Sequence, residues 1–377
     1  MMVHMSASTP PAPPRIAGFG YVRPLGSGGF ADVYQYEQDL PRRIVAVKVL
    51  RNRILEQRDR SDFDAEADTM ARLSNHPSIV AMYQAGVSTD GYPYLTMEYC
   101  PGSMRERTRN NPAALQTVLD AGVRLAGALE TAHRSGVLHR DIKPSNVLLT
   151  AAGRPALTDF GISTLSGRET SEEKTRALSI PWAAPEVLSG DTAGTVASEI
   201  WSLAATLYTF AAGISPFEMV DRAQNTQSKM TARITQAKYR PIPGAQGYEP
   251  FDAVLARAMA ARPEQRFRSM AEFGEALREL QRGYGFDPTP FDVIDAEWVA
   301  PAADTTQPRG PVISAVRDTS RAQQRAARDA AQLPVDRDGV IVDRRKGSIR
   351  AGLIGAGAAI VVLLIAVGIG MATGLLG

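Results

Sequence analysis

The sequence is poor in the residues that build disulfides and metal centres. Cys100 is the single cysteine, and four histidines are present among 377 residues. One cysteine excludes an internal disulfide and fits a reducing compartment. The histidines lack the paired spacing of a zinc site. The formal net charge is only +2, so charge gives no reason to expect a nucleic-acid partner.

Long apolar runs are missing until the C-terminal end. Residues 1–16 are proline-rich, contain no signal-peptide run and are expected to be a flexible lead. No charge occurs from residue 351 onwards, and a helix over residues 351–376 would be long enough to cross a bilayer; a buried core helix is the alternative. The positive-inside rule then predicts a single-pass protein of the cell membrane with its body in the cytoplasm. The basic residues before the span are Arg344, Arg345, Lys346 and Arg350.

The remainder divides into two folded parts and a linker. Residues 17–100 contain strand patterns such as "IVAVKVL" and "YLTMEY", with one helix, "SDFDAEADTMARL", for which Ser61 is the expected N-cap. Helical spacing dominates residues 112–283, where "SEIWSLAATLYTFAAG" is apolar on nearly all faces and is therefore expected to be a central buried helix. Residues 284–345 are rich in Pro, Asp, Arg, Ala and Gln and are predicted to be a largely disordered juxtamembrane linker. We therefore predict an α+β fold over residues 17–283.

A glycine cluster and a lysine mark the β-rich part. Gly26, Gly28 and Gly29 lie between two strand patterns, where glycine lets backbone approach a phosphate closely; an ordinary hairpin turn is the alternative. Lys48 lies on a partly apolar strand face, and Glu66 falls inside the apolar stripe of the following helix. Because a carboxylate there is costly unless it is paired, an ion pair between Lys48 and Glu66 would explain both positions. An edge strand from which the Lys48 ammonium reaches water is the alternative for the lysine.

The stretch "VLHRDIKPSNVLLT" places polar residues between apolar patches. The two short apolar runs of "VLLTAAGRPAL" predict a hairpin, with Asn146 entering one strand and Asp159 leaving the other. Those positions share one end of an antiparallel pair. An amide oxygen beside a carboxylate suits a hard cation such as magnesium, held together with substrate phosphates. Asp141 could accept a hydroxyl proton, and Lys143 could steady a transferring phosphate.

Taken in order, the motifs "GSGGFADV", "VAVK", "HRDIKPSN", "DFG" and "APE" resemble those of bacterial eukaryotic-like (Hanks-type) serine/threonine protein kinases that are anchored in the membrane. The resemblance covers residues 17–283. It implies a two-lobed protein kinase fold, with a small β-rich N-lobe and a larger α-rich C-lobe, followed by one transmembrane helix. It also implies ATP as phosphate donor, Mg²⁺ or Mn²⁺ as cofactor and proteins as substrates.

The resemblance carries roles to individual residues. Asp141 and Lys143 would be catalytic, and Asn146 and Asp159 would bind the metal. The glycine loop would cover the phosphates, Met97 would be the gatekeeper, and Glu98 to Cys100 the hinge. Glu186 would brace the C-lobe through an ion pair with Arg266. The ATP-binding set is Leu25, Gly26, Ser27, Gly28, Gly29, Phe30, Val33, Ala46, Lys48, Glu66, Met97, Glu98 and Cys100.

The sequence departs from the family pattern at three positions. Ala31 replaces the third glycine of the loop, and Glu199 replaces an aspartate that braces the catalytic loop through its backbone. Ser179 takes the place of a threonine near Asp141 and Lys143 but keeps the hydroxyl. Since none of these is a reacting group, we expect an active enzyme. A membrane-anchored pseudokinase scaffold and a small-molecule phosphotransferase are the alternatives.

Two regulatory features are expected. Arg140 precedes Asp141 and would meet a phosphorylated activation loop, in which Thr170, Ser171 and Thr175 are the candidate phosphosites; ordinary polar loop residues are the alternative. Small residues recur every four positions in the apolar C-terminal run, a spacing that lets helices pack closely and predicts a possible homodimer; simple anchoring is the alternative. They are Ala351, Gly355, Ala359, Gly370 and Gly374.

Overall fold

The computed structural model describes residues 13–28, 31–51, 57–109, 111–160, 179–242, 244 and 246–294, and the findings below concern these residues. The transmembrane span predicted at residues 351–376 lies outside them. Within the described part of the chain, no helix is both long enough and apolar enough to cross a membrane.

The N-terminal part is an antiparallel sheet with one helix. The elements are β1 (Phe19–Ser27), β2 (Ala31–Gln38), β3 (Arg43–Leu50), α1 (Gln57–Leu73), β4 (Met82–Val87) and β5 (Pro93–Glu98). The strands follow the spatial order β1-β2-β3-β5-β4, so β2, β3 and β5 form the centre of the sheet. This arrangement matches the strand and helix patterns of the sequence.

The two faces of this sheet carry different residues because side chains alternate along a strand. Tyr34 and Tyr36 on β2 lie opposite Val47 and Val45 on β3, and all four are buried in one apolar cluster with Ile16. The Tyr36 hydroxyl also donates to the carbonyl of Pro14 at 2.7 Å. Residues 13–16, which the sequence analysis assigned to a flexible lead, therefore pack on the sheet. One isoleucine among prolines gives no periodic signal for such packing.

Helix α1 begins earlier than the sequence analysis expected. It starts at Gln57, so Ser61 lies inside the helix and the predicted N-cap is wrong. The apolar stripe begins only at Phe63, which is buried. The residues before it are polar, and Arg60 and Asp64 form an ion pair one turn apart at 3.3 Å. Such pairs stabilise exposed helix without giving an apolar signal.

The C-terminal part is mostly helical. Its elements are β6 (Gly102–Ser103), α2 (Met104–Thr108), α3 (Leu115–Arg134), β7 (Val147–Leu149), β8 (Pro155–Leu157), α4 (Pro185–Leu188), α5 (Val196–Ala212), α6 (Gln227–Thr235), α7 (Glu249–Ala258) and α8 (Met270–Gly283). The large core of this part surrounds α3 and α5. Trp201, Tyr208 and Phe210 on α5 are fully buried, so the prediction of a central buried helix is confirmed. The predicted hairpin is present as β7 and β8, which pair in an antiparallel manner.

The two lobes are joined by the chain after β5 and also by hydrogen bonds between β8 and the turn that follows α1. Leu157 on β8 exchanges backbone hydrogen bonds with the turn that follows α1: its N–H donates to the carbonyl of Ser78 at 2.9 Å, and its carbonyl accepts from Val80 at 2.8 Å. This turn therefore connects α1 to the strand that leads to Asp159. The two-lobed α+β architecture expected from the resemblance is confirmed.

Candidate active site

Asp141 lies in a loop between α3 and β7, where its carboxylate is held from two sides. Lys143 Nζ lies 2.7 Å from its Oδ2, and the Ser179 hydroxyl donates to its Oδ1 at 2.7 Å. Lys143 also donates to the Ser179 hydroxyl at 2.9 Å. The Ser179 hydroxyl thus lies between the Asp141 carboxylate and the Lys143 ammonium. The serine that replaces the family's threonine therefore keeps the contact of the threonine hydroxyl.

Asn146 fixes the same carboxylate from the hairpin side. It ends a short 3₁₀ turn, Pro144–Asn146, directly before β7. Its Nδ2 donates to the backbone carbonyl of Asp141 at 2.8 Å and to Oδ2 of Asp141 at 3.0 Å. Because the amide nitrogen is used in this way, the amide oxygen is the atom available to a cation.

Lys48 crosses from β3 to the end of β8. Its Nζ donates to Oδ1 of Asp159 at 2.6 Å, and the lysine side chain is only 12% exposed. Burial would raise the pKa of Asp159, but the charge and hydrogen bond of Lys48 outweigh it and hold the pKa below its ordinary value. Glu66 lies on α1, but its side chain is outside the described structure, so the predicted pair with Lys48 stays a prediction.

The donor set at this end of the hairpin fits Mg²⁺. Asn146 offers an amide oxygen and Asp159 a carboxylate that stays ionised because of Lys48. No group of at least three His, Cys, Asp or Glu side chains placed to hold a metal ion occurs in the described part of the chain. Magnesium does not require one, since it is commonly bound by one or two protein carboxylates together with substrate phosphates and water.

The sheet face that carries Lys48 forms an apolar wall. Val33 lies directly opposite Lys48, and Ala46 lies opposite Met97, so these side chains share one face. The Thr158 hydroxyl lies 4.0 Å from the Met97 sulfur. The predicted gatekeeper therefore lies beside the residue that precedes Asp159.

The predicted hinge begins at Glu98, the last residue of β5. The Glu98 N–H donates to the carbonyl of Ala81 at 2.8 Å, which ties the start of the hinge to the residue before β4. Burial, with a contribution from the charge of Glu98, raises the pKa of the Cys100 thiol to about 12. Cys100 is therefore a neutral, weakly reactive thiol at physiological pH.

The glycine loop is held at its base by a cluster that the sequence analysis did not find. Ser27 donates to Oδ1 of Asp32 at 2.7 Å, and Arg51 donates to Ser27 at 2.7 Å and to both oxygens of Asp32. The hydrogen bond from Arg51 is the main cause that lowers the pKa of the buried Asp32. Leu25 and Gly26 belong to β1, and Gly28 N–H donates to the Ala31 carbonyl at 2.9 Å. Gly29 and Phe30 lie outside the described residues.

Glu199 on α5 braces the loop before Asp141. Arg140 has a left-handed backbone with φ 67°, and its N–H donates to Oε1 of Glu199 at 2.7 Å. The other carboxylate oxygen accepts from Nε2 of His133 at 2.7 Å. The longer side chain that replaces aspartate thus binds both the loop backbone and α3. The sequence shows that a glutamate replaces the family's aspartate at position 199. It does not show that His133, 66 residues away, contacts this glutamate.

The predicted pair between Glu186 and Arg266 is present. The guanidinium binds both carboxylate oxygens, at 2.6 and 2.8 Å. The Arg266 side chain is fully buried, and it also donates to the carbonyls of Ala197, Ala260 and Ala261. This pair ties α4 to the turn that precedes α8. Thr170, Ser171 and Thr175, the candidate phosphosites, lie outside the described residues.

The comparison with known families agrees with this geometry. The profile of the protein kinase domain matches residues 19–273. The chain belongs to the protein kinase family. Its similarity to mycobacterial serine/threonine kinases places it among the bacterial Hanks-type members of that family.

Three of these kinases illustrate the similarity. The chain is 40% identical over 285 residues to the serine/threonine-protein kinase PknK of Mycobacterium bovis, covering 74% of this chain and 25% of PknK. It is 33% identical over 273 residues to PknB of Mycobacterium leprae, covering 69% of this chain and 42% of PknB. It is 34% identical over 309 residues to PknJ of Mycobacterium tuberculosis, covering 76% of this chain and 50% of PknJ. The matched region thus spans a quarter to a half of these relatives.

Proposed function

We propose that this chain is a serine/threonine protein kinase that transfers the γ-phosphate of ATP to serine and threonine hydroxyls of proteins. The carrying observation is the arrangement of Asp141, Lys143 and Ser179, in which a hydroxyl lies within hydrogen-bond distance of both the carboxylate and the lysine. Asn146 and the pair of Lys48 and Asp159 complete the site. Family membership and the names of the relatives support the same activity.

In this proposal Asp141 orients the acceptor hydroxyl and receives its proton. The acceptor oxygen forms a bond to the γ-phosphorus, the bond between that phosphorus and the ADP oxygen breaks, and the proton passes to the Asp141 carboxylate. Lys143 is placed to neutralise charge on the transferring group, since its Nζ lies beside Asp141. Phosphoryl transfer needs alignment and charge neutralisation more than covalent help from the protein.

Lys48 would hold the α- and β-phosphates of ATP, and Val33 and Ala46 of the apolar wall would pack on its adenine. Asn146 and Asp159 would hold Mg²⁺ or Mn²⁺, which when bound neutralises phosphate charge and orients the β- and γ-phosphates. The low pKa of Asp159 keeps that ligand ionised at physiological pH.

Radiolabel transfer from γ-labelled ATP tests the activity. The full-length chain would be assayed with Mg²⁺ and with Mn²⁺ on a generic basic protein acceptor. We expect label on the acceptor with the wild type and loss of label with Asp141→Asn and with Lys48→Met. Asp221→Asn is the matched control, because Asp221 is exposed and its carboxylate accepts a hydrogen bond from the Ala223 N–H and none of the contacts above; it should retain wild-type transfer.

The same experiment separates the enzyme from a membrane-anchored pseudokinase scaffold. Calorimetric ATP binding would be measured alongside transfer. A wild-type protein that binds ATP but labels neither itself nor the acceptor would reject the kinase proposal and favour the scaffold. Label that persists in Asp141→Asn would reject the assigned proton acceptor.

Autophosphorylation of the activation loop is part of the proposal. Thr170, Ser171 and Thr175 lie in a segment containing Arg168, Lys174 and Arg176, and Arg140 is exposed near Asp141. A phosphate there would form charge-assisted hydrogen bonds with arginine. Phosphopeptide mapping after incubation with ATP should find this loop modified, and an unmodified loop in an active preparation would reject the idea.

Anchoring at the inner face of the cell membrane, with dimerisation, is likewise proposed from the sequence. The full-length chain should fractionate with membranes, and a chain ending at residue 345 should not. Crosslinking in membranes should give less dimer for Gly355→Leu and Gly370→Leu than for the wild type. Equal dimer yields would reject the homodimer while leaving the anchor intact.

A further inference from the structure

Residues 286–294, here called the strap, follow the end of the protein kinase profile match at residue 273 and pack on α3 and α8 of the C-lobe. The chain leaves α8 through Gly285, whose φ is 74°, and the Phe286 N–H donates to the carbonyl of Gln281 at 2.8 Å. Glycine allows this left-handed turn without strain. The sequence analysis assigned these residues to the linker, and the structure shows that they are docked.

Thr289 is the centre of the docked segment and is only 5% exposed. Its hydroxyl donates to Oδ1 of Asp120 on α3 at 2.9 Å and accepts from Nε2 of Gln281 on α8 at 2.8 Å. Its N–H donates to Oε1 of Gln281 at 2.8 Å, and its carbonyl accepts from Arg278 at 3.2 Å. Because every polar atom of this buried residue has a partner, docking is specific in register and not a loose apolar contact.

Two glycines inside helices make room for the strap. A Cβ on Gly127 of α3 would lie 2.3 Å from the carbonyl oxygen of Asp292. A Cβ on Gly274 of α8 would lie 2.3 Å from the ring of Phe291. Glycine inside a helix is unfavourable relative to alanine. The close approach of the Asp292 carbonyl to α3 explains why that helix contains a glycine at position 127.

The strap also reaches the turn after α1 through His76, which is 2% exposed. Nδ1 of His76 accepts from the Ser78 N–H at 3.0 Å, so Nε2 carries the proton and donates to the carbonyl of Asp292 at 2.9 Å. The same turn exchanges hydrogen bonds with Leu157 on β8. One side chain therefore links the strap to both α1 and the strand that leads to Asp159.

We propose that the strap is a positioning element of the kinase: docked between α3 and α8, it holds the His76 turn and thereby sets the position of α1 and Asp159 relative to Lys48. Undocking of the strap from α3 and α8 lowers the affinity for ATP and the turnover number. An event that pulls on the chain after residue 294 and undocks the strap therefore changes the active site. The effect on turnover rests on the proposed kinase function, whereas the effect on ATP affinity does not.

Gly127→Ala in the full-length chain is the decisive variant, because alanine favours the helix but collides with the strap backbone. Gly283→Ala is the matched control, since a Cβ there meets nothing within 4 Å. Phe291→Ala is the second variant; it loosens the strap without altering a helix. The measurements are hydrogen exchange of residues 74–80 and 286–294, the Kd of ATP by calorimetry, and kcat.

We expect Gly127→Ala and Phe291→Ala to accelerate exchange in both segments, to raise the Kd of ATP about fivefold and to lower kcat about tenfold, in the range found for residues that couple distant sites. Gly283→Ala should change none of these. Unchanged strap exchange in both variants, or released strap with ATP affinity within twofold of wild type, would overturn the proposal. If the wild type transferred no phosphate, the kinase function would fail while exchange and ATP affinity still decided the role of the strap.

Discussion

Replacing Glu199 tests whether the catalytic loop is held in a strained conformation by α5. Arg140 is a non-glycine residue at φ 67°, which costs about 1–2 kcal/mol, and its N–H is bound by a carboxylate that is 2% exposed. Glu199→Ala removes that acceptor and lets Arg140 relax, and Asp141 moves with it. The relaxed loop must then regain about 1–2 kcal/mol of strain before Asp141 reaches its catalytic position. That free energy corresponds to a fall of about 5- to 30-fold in kcat.

The same substitution also lowers the free energy of unfolding. It leaves the Arg140 N–H and Nε2 of His133 without their present acceptor, and each buried unsatisfied donor costs about 1–3 kcal/mol. Glu199→Gln is the informative comparison because it keeps the acceptor for Arg140. His133 would then have to carry its proton on Nδ1, which is buried without a hydrogen-bond partner in the described structure. We therefore expect Glu199→Gln to lose about 1–3 kcal/mol of stability in urea unfolding while kcat falls less than threefold.

A glycine background isolates the strain. Glycine adopts positive φ without penalty, so Glu199→Ala should lower kcat less in an Arg140→Gly background than in an Arg140→Ala background. Both backgrounds lack the guanidinium, so its regulatory role cancels in the comparison. Steady-state kinetics at saturating ATP gives the values. The account would be refuted if Glu199→Ala lowered kcat by the same factor in both backgrounds. It would also be refuted if Glu199→Ala alone kept kcat within twofold of wild type.

Three further predictions follow from other contacts. Ser179→Ala should lower kcat about tenfold, since it removes a charge-assisted hydrogen bond to Asp141, whereas Ser179→Thr should retain activity; equal kcat for both would contradict this. Arg266→Met should cost about 3–5 kcal/mol in urea unfolding because it leaves Glu186, whose side chain is 13% exposed, without its partner, and a loss below 1 kcal/mol would count against this contribution of the pair. Burial lowers the pKa of His76, so the unfolded chain binds more protons and stability should fall as pH drops below about 6.5. His76→Gln should flatten the stability profile between pH 7.5 and 5.5, and an unchanged slope would refute the assignment.

The sequence predicted the parts of the site whose residues follow a local pattern. The hairpin that carries Asn146 and Asp159 was predictable because its two apolar runs flank a turn. Lys48 was predictable as a strand residue with an unusual face, although the structure pairs it with Asp159. Its expected partner Glu66 lies on the predicted helix, but that pair stays a prediction. Local periodicity thus predicted the helices and strands. It did not predict which charged side chains pair across the site, because that depends on how the elements pack together.

The contacts that escaped prediction join residues far apart in the sequence. Asp32 lies on β2 and Arg51 directly follows β3, and the register of these two strands is fixed by strand pairing, which the sequence does not display. The strap has no periodicity at all: Thr289 stands between two prolines, and its burial depends on Gln281 and Asp120. Gly127 is uninformative on its own, since a glycine in a helical pattern only weakens the prediction of a helix.

Helix α5 explains why these distant contacts act together. Glu199 on its first turn holds the loop of Asp141, and the carbonyl of Ala197 accepts from Arg266, which also binds Glu186 in the segment of residues 179–188. Near its other end Thr209 accepts from the indole N–H of Trp182 at 3.0 Å, in that same segment. One buried helix therefore positions both the carboxylate of Asp141 and the hydroxyl that contacts it. Because α5 is packed against other parts of the C-lobe on nearly all sides, it is apolar on nearly all faces, and that pattern made it recognisable in the sequence.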